Sequence, residues 1–137
     1  MDATLKLNIT QKFAELKNQG FSDDKLDTLI EYAFACTKDE TTIVDVEIDG
    51  VAQKAQVIDL FFNREAETFE DELVDGVLLD KLHKESLALL VEGDNVKWVE
   101  HKFDALMDPA TNEKVAIVGS TVSYKEAVTV NGYSAIC

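Results

Sequence analysis

Residues 45–50, DVEIDG, carry acids at alternate positions followed by a glycine. Acids at positions 1, 3 and 5 with glycine at position 6 are typical of the calcium-binding loop of an EF-hand. Position 12 of that loop is a bidentate glutamate, whereas the chain has Gln56 there. Because an amide lacks the second carboxylate oxygen and the flanks are strand-like, we interpret this segment as a hairpin strand and predict no metal site.

Two histidines and two cysteines are the other side chains that can ligate a metal or attack a substrate. His83 and His101 lie next to charged residues and outside any HExxH or CxxC pattern, so both are predicted to face solvent. Cys36 follows an apolar helix face and is predicted to be a small buried hydrophobe. Cys137, the last residue of the sequence, has no activating neighbour. No cofactor is implied.

Motifs for nucleophilic or phosphate chemistry are missing from the sequence. It contains no GxSxG, Walker A or GxGxxG pattern, and nothing beside Cys36 supports a triad with a histidine and a carboxylate. Acids are so numerous that a catalytic pair cannot be recognised among them. We therefore predict no catalytic residue and no enzyme activity; an enzyme would need a polar pocket holding His83 or His101 beside Cys36 or a buried acid.

Residues 63–92 combine the densest negative charge of the chain with its longest apolar run. A helix over the first half places Glu67, Asp71 and Asp75 in one row at i, i+4 spacing, with Glu70 and Glu72 beside it. These five carboxylates are the predicted partner-binding residues, because such a row can dock a basic protein surface or imitate a row of phosphates. The alternative is a solvated face that only keeps the protein in solution.

Periodicity and capping residues predict the elements before this segment. Apolar residues recur at helical spacing over residues 8–19, and Ser22 can cap a second helix, so the chain begins with a helical hairpin. Residues 41–49 are predicted to form a strand, because Val44, Val46 and Ile48 alternate with Asp45, Glu47 and Asp49. Asp49-Gly50 then predicts a tight turn into a return strand that starts at Val51.

The elements after Gly76 are predicted from weaker patterns. A second helix is expected from Val77, while residues 87–107 fit either a helical face or two strands around the loop at residues 93–95, which we prefer. Residues 115–118, 121–130 and 133–136 read as strands, the last two joined by Asn131-Gly132. The predicted fold is a single α+β domain over residues 1–137, with a helical hairpin, a β-hairpin, a central acidic helix and a C-terminal antiparallel β-meander.

The formal net charge is −14, from 27 acids and 13 bases. An acidic surface repels phosphates, so neither direct nucleic-acid binding nor membrane binding is predicted. The sequence has no apolar run of membrane-spanning length and no apolar signal segment near Met1. The expected location is therefore the cytoplasm, or the virion if the gene belongs to a phage.

These observations favour a non-catalytic protein that associates with a protein partner or with itself as a homo-oligomer. An assembly subunit is expected, such as a small phage or virion component of head–tail or tail type, because the edges of the predicted meander can extend a neighbour's sheet. The alternative is an acidic inhibitor that binds a nucleic-acid-binding host enzyme by DNA mimicry. A small hydrolase or transferase without a recognisable motif is the third interpretation.

Overall fold

The computed structural model describes residues 2–136, so Cys137 lies outside the described residues. Two helices come first, α1 Asp2–Ala14 and α2 Asp23–Cys36, and two short 3₁₀ turns lie at Glu40–Thr42 and Arg64–Ala66. Within residues 2–136 there are seven strands: β1 Ile43–Ile48, β2 Val51–Asn63, β3 Thr68–Val74, β4 Val77–Glu92, β5 Asn95–Asp108, β6 Glu113–Tyr124 and β7 Tyr133–Ala135.

The two N-terminal helices and the first β-hairpin are confirmed. Ser22 caps α2, where its Oγ accepts a hydrogen bond of 3.1 Å from the backbone N–H of Lys25. Helix α1 lies earlier than predicted, over Asp2–Ala14 rather than residues 8–19. Asp49 and Gly50 have φ angles of 49° and 86°, as a type I′ turn requires, and Ile48 pairs with Val51.

The predicted central acidic helix is wrong. Thr68–Val74 is strand β3, which pairs antiparallel with β4 around a turn at Asp75 and Gly76, whose φ angles are 51° and 80°. The second helix expected from Val77 is also wrong, because this segment is the long strand β4. Asp-Gly is a strong hairpin signal, and strand pairing around it overrides the helical spacing of the acids.

The predicted C-terminal antiparallel meander is wrong as well. Glu113–Tyr124 is one continuous strand, whereas residues 125–132 form no strand. Asn131-Gly132 does form a turn, but β7 then pairs with β2, placing Ala135 beside Phe61. The α+β description is therefore replaced by a strand-rich fold with 53% strand and 24% helix.

The sheet closes on itself. Its strand order is β3-β4-β5-β6-β1-β2-β7, and an additional pairing of β2 with β4 closes the five strands β4, β5, β6, β1 and β2 into a barrel. The barrel pairs are antiparallel except β1 with β6, which is parallel. Strands β3 and β7 extend the sheet outside the barrel.

Apolar clusters hold these layers together. Inside the barrel, a cluster that includes Val57, Leu90 and Val99 fills one end. On the outside, the helices pack against β2, β4 and β5 around Trp98. The Phe13 ring meets the Trp98 ring edge-on at 5.5 Å, and the indole Nε1–H donates to the carbonyl oxygen of Lys12 at 3.2 Å. Each fully buried large side chain contributes about 1.5–3 kcal/mol, so the helices are firmly fixed to the barrel wall.

In residues 2–136 no helix has the length and apolar character needed to cross a membrane.

Candidate partner-binding edge and barrel cavity

Strand β3 is one edge of the sheet and pairs with β4 on one side only. Its residues alternate between two faces. Phe69 and Leu73 point to one face and are each 70% exposed. Glu70 and Glu72 point to the other face. An edge strand with exposed apolar side chains and unpaired backbone groups is a ready template for another chain.

The charged face of β3 is partly neutralised by β4. The Lys81 ammonium lies 3.8 Å from the Glu70 carboxylate and 3.9 Å from that of Glu72. The Nε2 atom of His83 lies 3.2 Å from Glu70. The carboxylate of each pair is exposed, so each pair contributes little to stability. They leave the edge with a net negative charge, since residues 64–75 hold six acids and one arginine.

The five predicted partner-binding carboxylates do not form a helical row. Glu67 precedes β3 and lies 3.6 Å from the Lys84 ammonium, Asp71 is within the strand, and Asp75 is in the turn. In an extended strand, residues four apart are separated by about 13 Å rather than by one helical turn. Glu70 and Glu72 lie on the opposite face from Asp71. All five still lie in or directly beside one hairpin, and their role in binding a partner stays a prediction.

Two carboxylates lie opposite each other in the β3–β4 hairpin, on the same face as Phe69 and Leu73. Asp71 of β3 is the direct cross-strand neighbour of Asp80 of β4. Neither carboxylate has an ion-pair partner among residues 2–136. Like charges placed directly opposite each other destabilise a sheet, and a cation supplied from outside would relieve this repulsion.

The prediction that His83 faces solvent is wrong in part. The side chain is 35% exposed and lies between two carboxylates, with Nε2 near Glu70 and Nδ1 bonded to Asp104 of β5. The hydrogen bond with Glu70, and then that with Asp104, raises the pKa of His83 above its usual value. Strand pairing causes this, because His83 and Asp104 are neighbours in the β4–β5 register.

The prediction that His101 faces solvent is wrong. The residue is 1% exposed, because it shares the inward face of β5 with Val99, two residues earlier. Its Nδ1 lies 2.8 Å from Oδ1 of Asp59 on β2, and its Nε2 is bonded to Oγ of Ser120 on β6. The hydroxyl of Ser86 on β4 donates to the same Asp59 oxygen. Four barrel strands thus contribute to one buried polar network.

Sequence reasoning missed three members of this network: Asp59, Ser86 and Ser120. A signal was present for the first, because Asp59 interrupts the apolar run of residues 57–62, VIDLFF. Ser86 and Ser120 lie two residues from the buried Ala88 and Val122, on the same strand face. Period-two alternation therefore indicates their burial once these segments are recognised as strands.

A cavity of about 440 Å³ opens at the end of the barrel beyond this network. Asp59 and His101 are among its lining residues, so a histidine and an acid do share one pocket, as the enzyme interpretation requires. Apolar side chains form most of its wall, among them Phe62, Leu82, Phe103, Ala105, Met107 and Ile117. A concave apolar site with a few polar groups is the usual form of a small-molecule binding site.

Cys36 also lines the cavity and is half-buried. Burial raises the pKa of its thiol, and a thiol with a raised pKa is a poor nucleophile because little thiolate is present. The expectation of a small apolar residue fits this environment better than a catalytic role does.

The prediction that residues 45–50 belong to a β-hairpin is confirmed. Asp45 lies 2.9 Å from the Lys54 ammonium across the hairpin, and Asp49 is in the turn. Among residues 2–136, no group of three or more histidine, cysteine or acidic side chains is placed to hold a metal ion.

No protein-family model, no curated protein and no solved structure matches the chain.

Proposed function

We propose that the protein is a non-catalytic association module that binds an extended segment of a protein partner along the edge of β3. The observation that carries the proposal is the exposure of Phe69 and Leu73, 70% each, on a strand with one free edge. A partner strand added to this edge would pair its backbone with β3 and cover both side chains.

The two faces of β3 indicate which residue types a partner strand should carry. The apolar face of β3 carries Phe69 and Leu73, and the other face carries Glu70 and Glu72. A bound strand that alternates apolar and basic residues would place its apolar side chains beside Phe69 and Leu73 and its cations beside the glutamates.

The same charges disfavour pairing of two β3 strands from identical chains. A second copy would bring its own Glu70, Asp71 and Glu72 against these residues, and like charges across a strand pair are destabilising. We therefore propose a different protein as the partner rather than a homo-oligomer, whether in a virion or in a cytoplasmic assembly. DNA mimicry loses its geometric basis, because the carboxylate row on which it depended is not formed.

The proposal is tested with a fluorescently labelled synthetic peptide that alternates lysine and valine. We expect the wild-type protein to raise the anisotropy of the peptide saturably, and added salt to weaken binding because the exposed glutamates are screened. The double variant F69S/L73S should lose binding, while V51S/V115S, which removes two apolar side chains that are each 59% exposed elsewhere, should bind like the wild type.

A second pair of variants separates charge from apolar contact. E70Q/E72Q should bind more weakly and show less salt dependence, whereas D27N/E126Q makes the same charge change at exposed positions away from β3 and should have no effect. Peptide binding that survives F69S/L73S, or no saturable binding to the wild type, contradicts the proposal. A dimeric mass by sedimentation that becomes monomeric in F69S/L73S would assign the edge to self-association instead.

A further inference from the structure

We propose that the barrel cavity binds a small organic cation, a primary amine on an apolar or aromatic body, with its ammonium group on Asp59. This site lies inside the barrel, and the inference does not depend on the proposed function of β3.

The first argument is the burial and the hydrogen bonding of the Asp59 carboxylate. Its side chain is 21% exposed, and both hydrogen bonds that it accepts, from Ser86 and from His101, fall on Oδ1. Among residues 2–136, no lysine or arginine forms an ion pair with it. A largely buried carboxylate without a permanent counter-charge is costly, and Oδ2 is the oxygen left to a molecule in the cavity.

The second argument is the chemistry of the cavity wall. An ammonium group carries three N–H donors and no acceptor, so it suits a carboxylate oxygen that accepts. The aromatic rings of Phe62 and Phe103 and the thioether of Met107 offer an apolar surface to the rest of the ligand. The volume of about 440 Å³ lies within the range of about 300–1,000 Å³ found for small-molecule sites.

The third argument is electrostatic. A net charge of −14 attracts cations to the protein and repels anions. Two lysines line the cavity, Lys84 and Lys114. The Lys84 ammonium is engaged elsewhere, 4.9 Å from the centre of the Phe62 ring and 3.6 Å from the Glu67 carboxylate. Among residues 2–136, neither lysine forms an ion pair with Asp59, which leaves its carboxylate to a ligand.

The chain Asp59–His101–Ser120 has the connectivity of a hydrolase triad, but its placement favours binding over catalysis. A nucleophile and its base must both reach the substrate. His101 lines the cavity, but only 1% of its surface is exposed. Ser120 lines a separate shallow depression beside β1 and β2, on the far side of the imidazole from Asp59. A ligand bound to Asp59 would therefore not contact Ser120. Ser86 and His101 act instead as positioning residues that fix the carboxylate.

Calorimetry with 2-phenylethylamine tests the proposal, with 2-phenylethanol and 3-phenylpropionate as neutral and anionic probes of similar shape. We expect saturable binding of the amine, weaker binding of the alcohol and none of the acid. Asp59→Asn keeps an acceptor for Ser86 and His101 but removes the charge, so amine affinity should fall at least roughly tenfold, the loss expected for a charge-assisted hydrogen bond.

Matched variants separate the cavity from general charge effects. Asp80→Asn makes the same charge change on the β3–β4 hairpin and should leave amine affinity unchanged. Lys84→Met removes a like charge from the cavity lining and should strengthen amine binding. Ile117→Phe narrows the cavity at a half-buried position and should weaken it.

Backbone amide shifts in two-dimensional NMR locate the bound amine and report whether each variant is folded. Shifts should cluster on the cavity residues of β2, β4 and β5. Equal affinity of the amine for the wild type and for folded Asp59→Asn overturns the proposal, as does the absence of saturable binding at millimolar amine. F69S/L73S should bind the amine normally, so failure at one site is distinguishable from failure at the other.

Discussion

At the scale of single residues, the barrel depends on hydrogen bonds among a few buried polar groups. Asp59 and His101 come from strands β2 and β5, which are not paired with each other, yet their side chains meet inside the barrel. Among residues 2–136, no buried side-chain nitrogen or oxygen lacks a hydrogen-bond partner. Such a satisfied network favours one arrangement of the strands, because a shift of register would leave its members unpaired.

His101 shows what could and could not be read from the sequence at this scale. Its charged neighbours, Glu100 and Lys102, suggested an exposed position. The same neighbours alternate with Val99 and Phe103, and this period-two pattern places His101 on the apolar face of a strand. The burial was therefore predictable once the strand was assigned. The pairing with Asp59 was not, because it depends on a contact between residues 42 positions apart.

The environment of His83 predicts a pH-dependent stability. Its hydrogen bonds with Glu70 and Asp104 raise its pKa in the folded state, so the protonated form is stabilised by folding. This stabilisation is complete below the unfolded-state pKa of about 6.5 and is lost as the pH rises through the higher folded-state pKa. We expect His83→Gln to destabilise the protein more at about pH 5.5 than at about pH 9.

Urea unfolding of the wild type and His83→Gln at a series of pH values measures this difference. Lys81→Gln is the control, because it removes a positive charge near Glu70 without removing an imidazole, the side chain that changes charge in this pH range. Its effect on the free energy of unfolding should be nearly constant over that range. A pH-independent effect of His83→Gln would exclude the predicted linkage.

At the scale of elements, the sequence-based prediction differs most from the structure in the segment that forms β3. Its acids at i, i+4 spacing fit a helix, but Asp75-Gly76 is the same dipeptide that turns β1 into β2. In both turns the aspartate and the glycine have positive φ. The turn could be predicted from the local sequence. The pairing of β3 with the first half of β4 could not, because it depends on Val77–Glu92 being a strand. Its apolar second half does not distinguish a helix from a strand.

Gly76→Ala tests the importance of the β3–β4 turn. Gly76 has a φ angle of 80° and no other atom within 4 Å of the position where a Cβ would lie, so the substitution introduces backbone strain without a steric clash. We expect the free energy of unfolding to fall by about 1–2 kcal/mol, the cost of a left-handed conformation for a residue with a Cβ. Val77→Ala, at a neighbouring exposed position, should change it by less than about 0.5 kcal/mol. Equal effects of the two substitutions in urea unfolding would show that the turn is not strained.

At the scale of the whole molecule, closure of the barrel is the feature that local sequence patterns do not contain. The β1–β2 hairpin was predicted, but its two further partners come from distant parts of the chain. Strand β2 pairs with β4, and β1 pairs with β6. These contacts are set by how the apolar faces of all five strands enclose one core. Periodicity identifies such a face but not the strand it will meet.

The strength of the barrel is therefore uneven around its circumference. Strands β4 and β5 pair continuously from Asp80–Met107 to Glu92–Asn95. Strands β1 and β6 pair only at Glu47–Thr121 and Ile48–Val122, and in parallel orientation. Parallel pairing is slightly weaker per residue than antiparallel pairing. The β1–β6 seam should open first, and such local opening needs less free energy than global unfolding.

Hydrogen exchange followed by NMR checks this expectation within one molecule. Amides that donate across the β1–β6 seam should exchange faster than those that donate between β4 and β5, and their protection should respond weakly to low concentrations of urea, as expected for local opening. The β4–β5 amides serve as the internal control, since they should exchange only through global unfolding. Equal protection at the two seams would mean that the barrel opens as one unit. In that case packing of the core residues Val46, Val57 and Val122, rather than the short parallel pairing, would hold β1 against β6.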